Sequence, residues 1–411
     1  MTTIQLVEHA RPDVHALPDA VGRALAASGM VDAVPDPYLP GHWRLRAGSK
    51  VGAVAFDVPG TGTVTLRITP KVPIARLFFL LGYALSPHTA PCDENVDVAE
   101  HTEVLPAFAD AFERQLARAL AQGLVQGYRT TEESAVVVRG RIREADQIRR
   151  HYNAALPVEI VYDEYTTDIA ENRILRAAVE RLLRLPGVPG DVRRRLAHHR
   201  SRLADVTSLV RGHALPVWRP TRLNARCHAV LRLAETVLRG ASAEHNEGPL
   251  HIDGFVFDMN RLFEDFVCTA LREALVPHGG CTELQARGIH LDRDDTVRMR
   301  PDFVWYADEG RPRAVVDAKY KAEKREGFPD ADLYQMLAYC TALGLPDGHL
   351  VYAKGNAPHA AHRIRNASIT IHQHALDLDQ PPRALLADVQ DLAERLASGE
   401  TRMINRLARS E

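Results

Sequence analysis

The chain has 411 residues, of which 45% are hydrophobic and 25% charged, and its formal net charge is −2. This length exceeds what one ordinary hydrophobic core supports, so we expect two or three domains. No apolar run approaches the roughly 20 residues that a membrane helix needs, which excludes a membrane-spanning class. The first residues carry acids where an export signal carries an apolar stretch, and the five cysteines show no paired spacing. These features predict a cytoplasmic protein without a disulfide framework or a zinc site.

Positive charge is concentrated in the middle of the chain. Residues 136–230 hold 18 basic against 10 acidic residues, and all 18 are arginine. Arginine suits phosphate because its planar fork donates two hydrogen bonds at once. Two interpretations stay open, solvated helix faces and contact with nucleic acid. The run of Arg193, Arg194 and Arg195 is the candidate DNA-binding set.

The coarse pattern along the chain predicts an α/β protein of several domains. Residues 43–70 alternate apolar and polar positions between glycine-containing turns, which is typical of half-buried antiparallel strands. Helices are predicted over residues 71–85 and from about Leu105, where Phe108, Phe112, Leu116, Leu120 and Leu124 form one apolar stripe. We expect this stripe to be core packing.

Strand patterns return at "SAVVVRGRI" and "LPVEIVYDEYTTD" within residues 130–165, and residues 168–240 are predicted to be mostly helical. A small, polar, glycine-bearing stretch at residues 239–254 is the predicted last domain boundary. We therefore predict three domains: a β-rich N-terminal domain (1–130), a basic and mainly helical middle domain (131–250), and an α/β C-terminal domain (251–411).

Two strand candidates, "PDFVWYAD" and "RAVVDAKY", lie on either side of the tetrapeptide "EGRP". If Glu309 and Gly310 are the central turn residues, the two numbers of each facing pair add up to 619, and Asp302 faces Asp317. Directly opposed residues share one face of an antiparallel pair, as do residues two apart on a strand. Asp302, Asp317 and Lys319 are therefore predicted to project together, with Pro312 able to distort the turn.

Two opposed carboxylates repel each other unless one takes up a proton or a cation lies between them. Oxygen-only ligands suit Mg²⁺, which takes one or two carboxylates and keeps several waters; Mn²⁺ is a second candidate. Such a metal activates water and neutralises phosphate charge, and Lys319 would orient the water or stabilise the transition state. This set predicts phosphodiester hydrolysis. The alternative is a surface hairpin with cross-strand pairs.

Two predicted helices flank this hairpin in sequence. "DADLYQMLAYCTALG" begins at Asp330, ends before Gly344, and puts Gln335 and Tyr339 four apart on one face. "DMNRLFEDFVCTALREAL" places Glu264 beside an apolar stripe. Glu264 either joins the carboxylate site or simply pairs with Arg261 three residues before it.

Pro301-Asp302, Asp317-Ala318-Lys319 and the Gln335–Tyr339 spacing together resemble the PD-(D/E)xK nuclease superfamily in its RecB-like branch. With "ITPKVPIARLFFLLGYAL", "YDEYTTDIAENRILRAAVERLL", "NRLFEDFV" and "DLYQMLAYC", the chain resembles the McrC family, the nuclease subunit of modification-dependent McrBC restriction systems. The resemblance spans roughly residues 60–355. It implies a restriction-endonuclease-like α/β/α domain, metal binding by Asp302 and Asp317 with Glu264 as a further ligand, and Lys319 as the catalytic lysine. It assigns Gln335 and Tyr339 to support of the site or to contact with the DNA backbone.

The resemblance also implies a partner. The chain has no G-x-x-x-x-G-K-[ST] phosphate loop of its own, whereas McrC proteins work with McrB, a hexameric AAA+ GTPase. By the resemblance, residues 1–130 dock into that hexamer and stimulate GTP hydrolysis. Two alternatives stay open: an autonomous RecB-like nuclease that acts without a motor, and a non-catalytic adaptor that activates a GTPase.

Overall fold

The computed structural model describes residues 2–85, 103–152, 154–185, 187–210, 214–240, 251–307, 310–322, 330–354 and 359–407. They form a mixed α/β protein of two compact units. The first unit comprises residues 1–107, 245–252 and 256–411, and the second comprises residues 108–244 and 253–255. The predicted boundary stretch at 239–254 lies largely outside the described residues, and the three-domain division stays a prediction. Within the described ranges, no helix is long and apolar enough to cross a membrane.

The strands are numbered in chain order: β1 Thr2–Val7, β2 Asp13–Ala16, β3 Val31–Pro35, β4 His42–Ala47, β5 Lys50–Val58, β6 Gly62–Thr69, β7 Gly127–Ala135, β8 Arg141–Ile142, β9 Val158–Thr166, β10 His251–Asp258, β11 Cys281–Leu284, β12 Ile289–His290, β13 Arg298–Met299, β14 Phe303–Tyr306, β15 Pro312–Ala322, β16 Asp347–Lys354, β17 His359–Arg363 and β18 Thr370–Ala375. The helices are α1 Asp19–Ser28, α2 Ile74–Leu85, α3 Val104–Leu120, α4 Glu144–Arg150, α5 Ala170–Arg184, α6 Gly190–Arg202, α7 His228–Gly240, α8 Met259–Ala274, α9 Asp330–Leu343 and α10 Pro382–Leu407.

The N-terminal part of the first unit is rich in β-structure, as predicted. A four-stranded sheet has the order β1-β6-β5-β10, and a three-stranded sheet has the order β2-β4-β3. Strands β5 and β6 pair antiparallel, as the alternation in residues 43–70 predicts, while β1 joins β6 in parallel. The predicted helix at residues 71–85 is confirmed as α2.

The C-terminal part of the first unit is built on a six-stranded mixed sheet of order β11-β14-β15-β16-β18-β17. Val315 of β15 packs in a cluster with Met336 and Tyr339 of α9, whereas Tyr320 of the same strand contacts Phe263 of α8 at a ring-centroid distance of 6.0 Å. Because odd and even residues of a strand point to opposite faces, α9 and α8 cover opposite faces of this sheet.

The N-terminal and C-terminal parts of the first unit share one core. Phe79 of α2 packs edge-on against Phe266 of α8, with ring centroids 5.8 Å apart. The Tyr320 hydroxyl donates a hydrogen bond to Oε2 of Glu8, 3.2 Å away, and the same oxygen accepts the main-chain N–H of Lys71 at 3.1 Å. Glu8 is fully buried, and burial raises the pKa of its carboxyl group to about 7.

The second unit combines helices α4–α7 with a three-stranded sheet of order β7-β9-β8. The predicted stripe is confirmed as core from Phe108 to Leu120, whose four apolar residues on α3 are fully buried. It is wrong at Leu124, which follows the end of the helix and is half-buried. The strand prediction for "LPVEIVYDEYTTD" is confirmed by β9. The prediction for "SAVVVRGRI" is wrong at residues 136–140, where the chain leaves the sheet after Ala135 and returns through Gly140 at a positive φ of 70°. Val136–Val138 are consequently exposed.

Gly348 of β16 lets α9 approach the sheet. A Cβ atom at this position would lie 2.5 Å from Cys340 Sγ and 2.7 Å from Met336, both fully buried side chains of α9. Overpacking of this kind costs about 1–3 kcal/mol. We predict that Gly348→Ala lowers the free energy of unfolding, measured by urea titration, by an amount in that range.

The matched control is Gly82→Ala in α2, where a Cβ meets no atom within 4 Å. Alanine favours a helix over glycine by roughly 1 kcal/mol, so this change should keep or increase stability. Equal stability of both variants would contradict the assigned contact between α9 and β16.

Candidate carboxylate and lysine site

The predicted register of the β14–β15 hairpin is confirmed. Phe303 pairs with Val316, Val304 with Val315, and Trp305 with Ala314, each pair adding up to 619. The register shifts after Trp305, where Tyr306 pairs with Pro312 and forms the irregularity expected from that proline. Glu309 of the predicted turn lies outside the described residues.

This register brings the two predicted aspartates together. The main-chain N–H of Ala318 donates a hydrogen bond to Asp302 Oδ2 at 2.9 Å, and Ala318 directly follows Asp317. Both aspartates are buried, with 8% of Asp302 and 2% of Asp317 exposed. Lys319 forms an ion pair with Asp317 Oδ2. The alternative of a solvent-exposed surface hairpin is therefore wrong.

Glu264 reaches this cluster from α8. That helix begins at Met259 behind the cap residue Asp258, whose side chain accepts the N–H of Asn260 at 3.0 Å. Arg261 contacts Asp265 at 3.9 Å instead of Glu264, which removes the simple pairing alternative. Glu264 accepts a hydrogen bond from the amide of Gln285.

Sequence reasoning missed Gln285, which follows β11. Its Nε2 donates both to Glu264 and to Asp302 Oδ1, the second contact at 3.1 Å. Gln285 also has a positive φ of 50°, uncommon for a residue other than glycine. A lone glutamine in a polar stretch carries no pattern, so no sequence signal marks it.

Burial and mutual repulsion shape the protonation of this site. Burial, reinforced by the charge of Asp302, raises the pKa of both Glu264 and Asp317 to about 7. Burial alone would lower the pKa of Lys319, but the adjacent Asp317 carboxylate outweighs it and the pKa is raised. The lysine consequently stays an ammonium cation near neutral pH, whereas the carboxyl groups exchange protons there.

Gln335 and Tyr339 lie on α9, whose predicted bounds are confirmed. The Gln335 amide donates to the Tyr339 hydroxyl at 2.7 Å, and this hydroxyl donates to the main-chain oxygen of Arg300 at 3.2 Å. Arg300 lies two residues before Asp302. The pair thus holds the segment that carries one of the aspartates, without contacting a carboxylate of the site in the described structure.

The three predicted DNA-binding arginines lie on α6 in the second unit and differ in their contacts. Arg193 donates to the main-chain oxygens of Leu183 and Leu185 at the end of α5. Arg195 donates to three carboxylates, those of Glu113 and Asp110 at 2.7 Å and of Asp191 at 2.8 Å. Arg194 is exposed. DNA contact by this set stays a prediction. Arg195 is exposed as well, but its guanidinium is bound to carboxylates of the protein, so Arg194 is the stronger candidate.

The donor chemistry of the cluster fits a hard divalent cation. All of its acceptors are oxygens, and Asp317 Oδ2 is buried with an ion-pair contact to Lys319 but no well-directed hydrogen bond. Mg²⁺ takes such oxygens and fills its remaining positions with water. However, no group of three or more His, Cys, Asp or Glu side chains in the described structure is already arranged to hold a metal.

The raised pKa of Asp317 predicts a pH-dependent effect of Asp317→Asn on the metal-free protein. The ordinary pKa is 3.8 and the folded value is about 7. Between these values the folded wild-type protein holds a proton that the unfolded chain has lost, so wild-type stability falls as pH rises. Asparagine does not titrate. The variant should match the wild type near pH 4 and gain a growing advantage in melting temperature up to pH 8.

These melting curves are recorded in EDTA, with the exposed Asp391→Asn of α10 as the matched control. The control should follow the wild type at every pH. An Asp317→Asn variant that is less stable at all pH values would show that the carboxylate is a structural pairing group.

The arginine contacts predict different effects on stability for two neighbouring substitutions. Arg195→Ala leaves Glu113, only 4% exposed, without its guanidinium partner and should lower the free energy of unfolding by about 1–3 kcal/mol. Arg194→Ala should leave stability within about 0.5 kcal/mol. If Arg194 contacts a phosphate, its loss reduces the slope of log K against log salt by about 1 in DNA-binding titrations. An unchanged slope would make Arg194 a solvated surface residue.

Comparison with known proteins places the chain in a family. The family model described as "McrBC 5-methylcytosine restriction system component" matches residues 45–353. A chain from the refined half-complex of the tetradecameric assembly of Thermococcus gammatolerans McrB AAA+ hexamers with bound McrC is similar in fold, with a TM-score of 0.56 and 19% identity, covering 95% of this chain and 100% of that one. A chain from the cryo-EM structure of the T. gammatolerans McrBC complex matches at a TM-score of 0.38 and 22% identity, covering 67% and 88%. No curated protein matches. Because the family match extends over most of its length, the chain belongs to the McrBC family of 5-methylcytosine restriction system components.

Proposed function

We propose that this chain is the nuclease subunit of its restriction system, a Mg²⁺-dependent DNA endonuclease. The observation that carries the proposal is the buried pair Asp302 and Asp317 with the Lys319 ammonium beside it. The mixed sheet covered by α8 and α9 on opposite faces supports a restriction-endonuclease-like α/β/α domain in the C-terminal part. Mn²⁺ is the expected substitute metal.

In this proposal the carboxylates of Asp302, Asp317 and Glu264 would hold the cation. When bound, Mg²⁺ supplies a water of lowered pKa and neutralises charge on the scissile phosphate. The raised pKa of Lys319 keeps it protonated near neutral pH, so it has no lone pair with which to take a proton from water. We therefore assign it to stabilisation of the negative charge that develops on the phosphate oxygens. Tyr339 and Gln335 keep the Arg300–Asp302 segment in place.

The family supports a proposal for the substrate and for the partner. Its description names 5-methylcytosine, so we propose DNA carrying that base as the substrate. The similar solved structure contains McrB AAA+ hexamers with bound McrC, which supports an McrB-like AAA+ GTPase as the partner of this chain. A motor partner also accounts for a nuclease subunit whose sequence lacks a nucleotide-binding loop. Residues 1–130 are the proposed docking element.

Cleavage by the complete complex tests the proposal. Methylated plasmid, the AAA+ partner, GTP and Mg²⁺ should give double-strand cleavage, while the chain alone cleaves poorly. Asp317→Asn and Lys319→Ala should each reduce the cleavage rate by about 100-fold or more, the usual effect of losing a group that stabilises transition-state charge. Both variants should still stimulate GTP hydrolysis, because the changes lie outside residues 1–130.

The exposed Asp391→Asn serves as the control and should cleave at the wild-type rate. Near-normal cleavage by Asp317→Asn would refute the nuclease assignment. Robust digestion of plasmid by the chain alone would instead favour a nuclease that acts without a motor.

A further inference from the structure

Gln285 is held in an unusual main-chain conformation beside the carboxylates. Its N–H donates to the carbonyl oxygen of Asp302 at 2.8 Å, and the next N–H, of Ala286, donates to Pro301 at 3.1 Å. These bonds continue the β11–β14 ladder beyond its end, while the φ of 50° turns the chain. A left-handed conformation at a residue other than glycine costs free energy and recurs at functional sites. This backbone conformation therefore directs the Gln285 side chain toward the carboxylates.

The amide of Gln285 occupies the space between two acids. Its two N–H hydrogens are directed to Glu264 and to Asp302 Oδ1. A carboxylate accepts hydrogen bonds, so this orientation of the amide offsets part of the repulsion between the two acids. A cation shared by Glu264 and Asp302 would need the same space.

A cation held by these acids would keep coordination positions that neutral oxygens, from water or from the protein, can fill. The described structure arranges no group of three His, Cys, Asp or Glu side chains around one point, and a hard cation prefers several oxygens. The amide oxygen of Gln285 is a neutral oxygen on a side chain that already contacts two of the carboxylates. The terminal torsion of a glutamine is broad and roughly two-fold, so the torsion itself opposes turning of the amide only weakly. The bound cation would replace the two hydrogen bonds that this turn breaks.

We propose that Gln285 has two roles at this site. Without metal its NH₂ group bridges Glu264 and Asp302 and offsets part of their repulsion. When a divalent cation enters, the amide turns over and its Oε1 becomes an additional ligand. This inference rests on the metal site of the proposed function, and it adds a residue that the sequence motifs do not contain.

Direct Mn²⁺ titration of the full-length chain, followed by electron paramagnetic resonance of the free ion, tests the inference without any cleavage assay. Gln285→Asn keeps an amide and suits a left-handed backbone, but it is one methylene too short to reach both acids. It should weaken Mn²⁺ binding about ten-fold. Gln285→Glu provides a ligand oxygen but no N–H donor. It should bind Mn²⁺ at least as tightly as the wild type, while its metal-free melting temperature falls. Gln390→Asn, on the exposed side of α10, is the control and should change neither quantity.

In Gln285→Glu, kept or increased Mn²⁺ affinity together with lowered metal-free stability identifies Gln285 as a metal ligand. If Gln285 had a structural role only, both variants would lose stability. Their Mn²⁺ affinity would then either stay unchanged in both or fall in both. Either result overturns the inference, and Gln285→Glu decides the matter alone if Gln285→Asn does not fold. A wild-type chain that binds no Mn²⁺, or an Asp317→Asn variant that binds it normally, would instead refute the metal site of the proposed function.

Discussion

The repulsion among three carboxylates is the constraint on which this site depends. Glu264 lies on α8, Asp302 directly precedes β14, and Asp317 lies on β15. The two aspartates are buried and Glu264 is half-buried. Burying like charges together is unfavourable unless protons, cations or donors compensate them. The chain supplies one ammonium group, from Lys319, and one amide, from Gln285. This compensation is incomplete, because the pKa of two of the acids remains near 7. A fold that keeps such a cluster gives up stability, and a bound cation would restore it.

Much of the hairpin could be predicted because its determinants are local. The alternation of apolar residues selects the faces of β14 and β15, and the turn selects the register, so Asp302 and Asp317 were placed opposite each other from spacing alone. The bounds of α9 followed from its first residue and from Gly344, whose φ is 67°. Gln285 could not be predicted in this way. Its role arises where the end of one strand meets a helix, and only the folded chain brings these together.

The middle of the chain shows why composition alone misleads. An apolar triplet at Val136–Val138 has the composition of a strand, but the turn at Gly140 excludes it from the sheet. Likewise, a run of three arginines can face a phosphate, a carboxylate or a helix end. Arg193 and Arg195 form bonds within the protein, so counting charges overstates the surface available to nucleic acid. Charge counts carry no information about partners inside the fold.

The hydrogen bond between Tyr320 and Glu8 has a consequence for how the chain is made. It joins the first strand region to the strand that carries Lys319, and the N-terminal sheet is completed by β10, which follows the second unit in sequence. The second unit is thus an insertion within the first. During synthesis the N-terminal strands leave the ribosome long before their partners β10 and β15 do. Residues 108–244 of the second unit also precede β10, and only residues 253–255 of that unit are made with it. The inserted unit can fold first, whereas the first unit must wait until β10 and β15 have been synthesised.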